Sequence, residues 1–276
     1  SVAPQTVCFW MQPPLIPMLI WWSAVYVHWI LGIHITRDRS ARILCLHQSQ
    51  AIISFLEDWN MLDAPKTRTP MDKAWQYGDK PRIEDETKIS EYRSKVGSIN
   101  FFAQCTRPDI SYATGVLCRH LHNPNEECFK ALDHVMEYLA STPDLGLVYQ
   151  SSNKTRLTLE TYTPLELPKD TESPELVAYT DSSLGGENCD SAKSTTGALI
   201  YLAGCLIAWN SNLQPVVATS STEAEHIAAF DTARTIIYFL QFLEELGFGQ
   251  TKPTVLWEDN STCIAQSKNA VNTRRV

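Results

Sequence analysis

Two apolar runs in the last third of the chain each stop on an aspartate, and a hairpin and one long amphipathic stretch lie between them. The first run, Leu176-Val177-Ala178-Tyr179-Thr180, stops at Asp181, and the second, Thr254-Val255-Leu256-Trp257-Glu258, stops at Asp259. Residues 197–202 and 205–209 read as hairpin strands across Ala203-Gly204. Residues 221–248 keep a helical apolar period, with Glu225 near its start and Gly247 and Gly249 as its stop, and residues 261–268 form a last short helix. A strand, hairpin, helix, strand order brings two strand ends and one helix start to one edge of a parallel or mixed sheet. Asp181, Glu225 and Asp259 then converge. Carboxylates so placed repel one another unless divalent cations neutralise them. Two-metal phosphodiester hydrolysis uses that arrangement, with ions about 4 Å apart clamping the attacking and leaving oxygens. Singly, each residue also has an ordinary explanation, as an acidic loop residue or a glutamate favouring a helix dipole. It is their joint order that points to metal chemistry.

A chain of 276 residues and 31.1 kDa, 44% hydrophobic, holds one large or two ordinary domains. Its formal net charge of −8 argues against a generally basic nucleic-acid binder. Residues 1–150 carry 14 Lys and Arg against 16 Asp and Glu, and the remainder 9 against 15, so the acidity concentrates where the carboxylates lie. A nucleic-acid partner then needs local basic patches or metal ions to offset phosphate repulsion. The eight cysteines (Cys8, Cys45, Cys105, Cys118, Cys128, Cys189, Cys205 and Cys263) form no C-x-x-C pair. They fit free thiols in a reducing intracellular compartment, cytoplasm or nucleus.

The first 36 residues contain no charged side chain, and the 19 residues from Leu15 to Ile33 are mainly apolar, with Trp21, Trp22, Tyr26 and Trp29 among them. Length, aromatics and the following Arg37, Arg39 and Arg42 fit a membrane span, which gives membrane association as an alternative location. Pro13, Pro14 and Pro17 and the lack of a basic leader count against it. Residues 30–35 read as a strand and 43–46 as its hairpin partner, followed by a helix over 48–60 and a loop over 64–88. Helices follow at 92–104, 109–121 and 125–141, the second opened by Pro108 and the third by Pro124 and Asn125. Residues 150–174 mix one strand-like run (156–161) with polar, Pro-containing text and read as a linker. Limited proteolysis is expected to cut there first and leave a folded C-terminal fragment. First cleavage inside residues 221–248 would count against that division.

Taken together, several stretches resemble the C-terminal part of a copia-type retrotransposon polyprotein. They are Ile30-Leu31-Gly32-Ile33, Thr69-Pro70-Met71-Asp72, Tyr92-Arg93-Ser94-Lys95-Val96-Gly97-Ser98, Thr106-Arg107-Pro108-Asp109-Ile110, Asn123-Pro124 and Thr142-Pro143-Asp144-Leu145-Gly146-Leu147. Nearer the carboxylates they are Tyr179-Thr180-Asp181, Lys193-Ser194-Thr195-Thr196-Gly197, Ser220-Ser221-Thr222-Glu223-Ala224-Glu225 and Glu258-Asp259-Asn260-Ser261. The resemblance implies an α/β and α+β fold, in which a helical and hairpin thumb–connection region of a reverse transcriptase precedes a ribonuclease H-like mixed-sheet domain. The implied division is a divergent apolar segment (1–29), the reverse-transcriptase region (30–149), a linker (150–174) and a ribonuclease H-like domain shortened at its C terminus (175–276).

By the same resemblance, Asp181, Glu225 and Asp259 are catalytic metal ligands for Mg²⁺ or Mn²⁺, and the substrate is the RNA strand of an RNA–DNA hybrid. Asp181 bridges both ions, Glu225 and Asp259 hold the leaving-group ion, and the family's fourth carboxylate, which lies beyond Val276, holds the nucleophile-side ion. The expected partners are the hybrid and the remainder of the polyprotein, with a nuclease activity impaired by truncation. The alternative is an inactive remnant that at most binds nucleic acid. No Tyr-x-Asp-Asp polymerase motif occurs in the sequence, so polymerase activity is not expected. Locally, Glu223 competes with Glu225: Ser220 with Glu223 reads as a capping box, and Thr222 with Glu225 has the same spacing. The family motif favours Glu225. Hydroxyls of Ser194, Thr195 and Thr196 either contact phosphate or only start a strand. Arg107 and Asp109 read as fixing a helix start, and His226 as a surface or packing residue.

Overall fold

The structure, a computed structural model, describes residues 27–72, 75–78, 80–150, 175–185 and 192–268. Most of the charge-free N-terminal segment and the strand-like run at 156–161 therefore lie outside the described residues. Within them the fold is mixed α/β, with two four-stranded sheets and six α-helices.

The first sheet is antiparallel throughout, in the order β1 (Trp29–Ile30), β2 (Ile33–Asp38), β3 (Ile43–His47), β4 (Gly146–Gln150). The strand expected over 30–35 is broken by a two-residue turn in which Leu31 (φ 49°) and Gly32 (φ 78°) are both left-handed. That turn matches the right-handed twist of hairpin strands, and glycine adopts its second position without steric cost. The hairpin straddles the expected boundary at residue 30. The described end of the apolar run, Trp29 to Ile33, is thus a strand pair. No helix among the described residues is long and apolar enough to cross a membrane. β4, which no sequence pattern marks, pairs with β3 up to Gln150, the first residue of the expected linker.

A helical core is built from α1 (Ser49–Asp58), α2 (Glu86–Cys105), α3 (Ser111–Arg119) and α4 (Glu126–Ser141). Ile52, Leu56, Tyr92, Val96, Leu132 and Met136 are fully buried at its centre. α2 starts six residues earlier than its apolar period indicates, because Asp85 caps it by accepting from the backbone N–H groups of Thr87 (2.9 Å) and Lys88 (3.4 Å). Asn125 caps α4 in the same way through Cys128 N–H (3.0 Å). α3 follows a 3₁₀ turn at Pro108–Ile110, where an α-helical start was expected.

The second sheet has the order β7-β6-β5-β8, from β5 (Leu176–Ser183), β6 (Thr195–Leu202), β7 (Cys205–Leu213) and β8 (Val255–Trp257). β5 pairs with β8 in parallel and with β6 antiparallel. The β6–β7 turn repeats the left-handed pair, at Ala203 (φ 51°) and Gly204 (φ 75°). α5 (Ser221–Glu245) covers one face, with Ile236 and Leu243 against Leu176, Ala178 and Ile200, and α6 (Ser261–Lys268) packs beside it.

Trp209 of β7 reaches the helical core, its indole N–H donating to Ala103 O (2.9 Å), and Arg119 of α3 donates to Thr195 Oγ1 (3.2 Å). Trp209→Phe keeps an aromatic ring but loses the indole N–H and part of the ring's packing, so it is expected to cost about 1–2 kcal/mol in urea unfolding. An unchanged unfolding midpoint would show that this bond adds nothing to water's alternative.

Candidate metal centre

The parallel pairing of β5 with β8 puts their C-terminal ends at the same sheet edge, because Val177, Ala178 and Tyr179 stand opposite Val255, Leu256 and Trp257. Asp181 lies two residues past Tyr179 and Asp259 two past Trp257, so the register carries both to that edge. Asp259 lies beyond β8 in the turn to α6, where the sequence pattern puts it at the strand end. α5 starts at the same edge. One ligand atom from each of Asp181, Glu225 and Asp259 lies within 4.8 Å of the others. The order of elements in the sequence is what brings them there.

Their surroundings differ. Asp181 and Asp259 are exposed, whereas Glu225 is only 6% exposed and its Oε2 has no hydrogen-bond partner. Burial pushes the Glu225 carboxyl up to about 7, and the negative charges of Glu258, Asp181 and Asp259 push the same way. The nearby Ser182 hydroxyl pulls it down, although no formed hydrogen bond joins the two. Burial also raises the Glu258 carboxyl, as do Asp259 and Asp181.

Glu223 has a different task. The Ser220 hydroxyl accepts from Glu223 N–H (3.1 Å), and Glu223 Oε2 turns back to accept from Thr219 N–H (2.8 Å) and the Thr219 hydroxyl (2.7 Å). This is a capping box shifted by one residue, its return bond made to Thr219 instead of Ser220. Glu225 points into the carboxylate cluster instead.

Three further contacts hold the site in shape. The Thr180 and Thr232 hydroxyls share a hydrogen bond (3.0 Å), pinning α5 to β5 one residue before Asp181. Gln214, 2% exposed, donates from Nε2 to Thr196 Oγ1 (3.1 Å) and Ala224 O (2.9 Å), tying β6 to the first turn of α5 beside Glu225. His226 packs against α6, with Nε2 2.8 Å from Gln266 Oε1 and Nδ1 3.5 Å from the buried Cys263 Sγ. The hydroxyls considered for phosphate contact are internal. Ser194 Oγ accepts from Gly185 N–H (3.1 Å), Thr196 from Gln214 and Thr195 from Arg119, and all three residues are buried. Gln214 and Ser182 carry no local pattern that marks a role here, and Glu258 stands in a family motif whose assigned ligand is its neighbour Asp259.

An oxygen-only donor set with one buried, unpartnered carboxylate oxygen fits a hard divalent cation of the Mg²⁺ or Mn²⁺ kind. Over 247 residues, 88% of this chain, the sequence is 36% identical to the retrovirus-related Pol polyprotein from transposon TNT 1-94 of Nicotiana tabacum. Over 237 residues it is 34% identical to that from transposon RE1 of Arabidopsis thaliana. The chain belongs to the copia-type retrotransposon Pol polyproteins. It spans 17% of the first polyprotein's length and 14% of the second's. It is also 31% identical over 213 residues to an uncharacterized mitochondrial protein of Arabidopsis thaliana, covering 78% of that protein. No family model and no solved structure matches the chain.

Proposed function

We propose that this part of the Pol polyprotein is a ribonuclease H-type nuclease unit joined to the end of a reverse transcriptase, and that it cuts the RNA strand of RNA–DNA hybrids. In this reading residues 175–268 form the nuclease fold and β1–β4 with α1–α4 the thumb–connection region. The observation that carries it is the meeting of Asp181, Glu225 and Asp259 from β5, α5 and the turn after β8, within 4.8 Å, in a chain of Pol ancestry.

The roles follow from exposure. Asp181 and Asp259, open to solvent, are placed to hold metal facing a phosphodiester, and Glu225 anchors it from the buried side. When bound, Mg²⁺ or Mn²⁺ supplies activation of water and charge stabilisation at the scissile phosphate. The protein's own work is to fix the carboxylates rigidly, through the Thr180–Thr232 and Gln214–Ala224 contacts. With an overall charge of −8, hybrid binding depends on those cations, and the 2′-OH marks the strand to be cut.

The test is cleavage of a labelled RNA–DNA hybrid by the purified chain in MgCl₂ or MnCl₂, beside chelator and Asp181→Asn. Metal-dependent cutting of the RNA strand, lost in the variant, is expected. Cutting that survives Asp181→Asn would show that the activity resides elsewhere. The extent to which this chain makes up an uncharacterized mitochondrial protein favours a second reading, a non-catalytic remnant. Hybrid retention without cleavage in either metal would decide for it.

A further inference from the structure

Behind the three carboxylates lies a second set of oxygens. Ser182 Oγ, Glu225 Oε2 and Glu258 Oε2 are each buried from solvent and each without a hydrogen-bond partner. A buried polar atom left unpaired costs about 1–3 kcal/mol and is uncommon in folded proteins. Ser182 and Glu258 are also the two side chains that act most strongly on the Glu225 carboxyl, so one partner can serve all three.

The period of the strands explains why they meet. Leu176, Ala178 and Thr180 occupy the face of β5 against α5, and the two-residue alternation places Ser182 on that face as well. On β8, Leu256 packs into the same core, and Glu258 follows two residues later. Glu225 comes down from the first turns of α5, and of its carboxylate neighbours Glu258 acts on it more strongly than Asp181 or Asp259. Glu258 is held from its other oxygen, Oε1, which accepts from Asn260 N–H (3.0 Å). With both carboxyls ionised the set cannot satisfy itself: a hydroxyl offers one hydrogen and two carboxylates offer none, so the bare oxygen takes either a proton or a cation.

We propose that Ser182 Oγ, Glu225 Oε2 and Glu258 Oε2 form an inner divalent-cation position, bridged through Glu225 to the outer position held by Asp181 and Asp259. The inference rests on the reading of Asp181, Glu225 and Asp259 as metal ligands and adds Glu258 and Ser182 to them. A site of three protein oxygens leaves room for the waters that Mg²⁺ and Mn²⁺ retain. It also gives the described residues of this chain enough carboxylates for two ions without any downstream ligand.

The experiment is titration of the full 276-residue chain with MnCl₂, followed by electron paramagnetic resonance of free and bound Mn²⁺. The wild-type chain is expected to take up two ions per molecule, with the exchange-coupled spectrum of ions sharing a carboxylate. Glu258→Gln should weaken one of them at least tenfold and abolish the coupling. Asp181→Asn should weaken the other while the inner ion stays bound. Ser182→Ala, a milder change, should weaken the inner ion several-fold and serves if the Gln variant does not fold. One uncoupled ion in the wild type, unmoved by Glu258→Gln or Ser182→Ala, would overturn the inner position and leave the three-carboxylate reading intact. Two ions that survive both substitutions would remove Glu258 and Ser182 from the site. An infrared band of a neutral carboxylic acid that persists at saturating Mn²⁺ and disappears in Glu258→Gln would show a shared proton in the cation's place. No Mn²⁺ uptake by the wild type, or uptake indifferent to Asp181→Asn, would overturn the underlying reading itself.

Discussion

Arg107→Met is expected to destabilise the chain by about 3 kcal/mol, with Arg107→Lys recovering less than half of the loss. Arg107 is fully buried, and its guanidinium spends its donors on two partners. Nε and Nη2 form a fork onto Asp109 (2.8–3.2 Å), while Nη1 and Nη2 reach Thr142 O (2.9 Å) and Oγ1 (2.8 Å). The Tyr138 hydroxyl completes the group by donating to Asp109 Oδ2 (3.0 Å). The cluster therefore binds the 3₁₀ turn before α3 to the end of α4, just ahead of β4. Methionine fills much of the volume but strands a half-buried carboxylate and a carbonyl, which is where most of the cost arises. Asp109 retains some access to water, which holds the estimate at the low end of values for broken buried pairs. Lysine restores the charge without the planar fork. Urea unfolding followed by far-ultraviolet circular dichroism measures both variants. A loss under about 1 kcal/mol for Met would show that the cluster orders the turn without stabilising it.

The same residues show what a sequence can and cannot reveal. Period and punctuation are local, so β5, α5 and α6 were legible within a few residues, and with them the convergence of Asp181, Glu225 and Asp259. β4 was not, since its five residues become a strand only by pairing with β3, which lies about a hundred positions earlier in the chain. The first six residues of α2 are almost wholly polar, with Ile89 alone buried, so no apolar period announces them and only the Asp85 cap does. The helix read as α5 held a different surprise. The first half of its buried stripe is made of Ala224, Ala228 and Thr232, ahead of the bulkier Ile236 and Leu243, while Phe230 (65% exposed) and Tyr238 (61% exposed) face outward. Small side chains allow the helix to approach β5 closely enough for the Thr180–Thr232 bond, and that proximity places Glu225 near Asp181. Bulk in sequence is thus a poor guide to the buried side of the first half of this helix. Glu258 was hidden for a similar reason, as its neighbour Asp259 carries the motif.

Glu225→Gln should make the metal-free protein more stable at pH 8 and at the same time all but abolish hybrid cleavage. Burial, followed by the charges of Glu258, Asp181 and Asp259, pushes the Glu225 carboxyl up to about 7 from an ordinary 4.5. Between those two values the folded chain keeps a proton that the unfolded chain has released. Stability therefore falls as pH rises through that window, and above pH 7 the whole penalty is present. The difference corresponds to roughly 3 kcal/mol. Glutamine never ionises and escapes it. Thermal melts with chelator should show the variant above the wild type at pH 8 and level with it near pH 4. A bound divalent cation neutralises the same charge, so MgCl₂ should raise the wild-type melting temperature at pH 8 and leave the variant nearly unmoved. Cleavage moves in the opposite direction. Loss of an anchoring ligand that costs several kcal/mol of barrier lowers the rate about a thousandfold, at 1.36 kcal/mol per factor of ten. The opposed signs identify a ligand held at the expense of stability, as functional carboxylates often are. A variant that melts below the wild type at pH 8 without metal would mean that Glu225 is a structural partner in its charged form, and the assignment of its buried oxygen to a cation would have to be withdrawn.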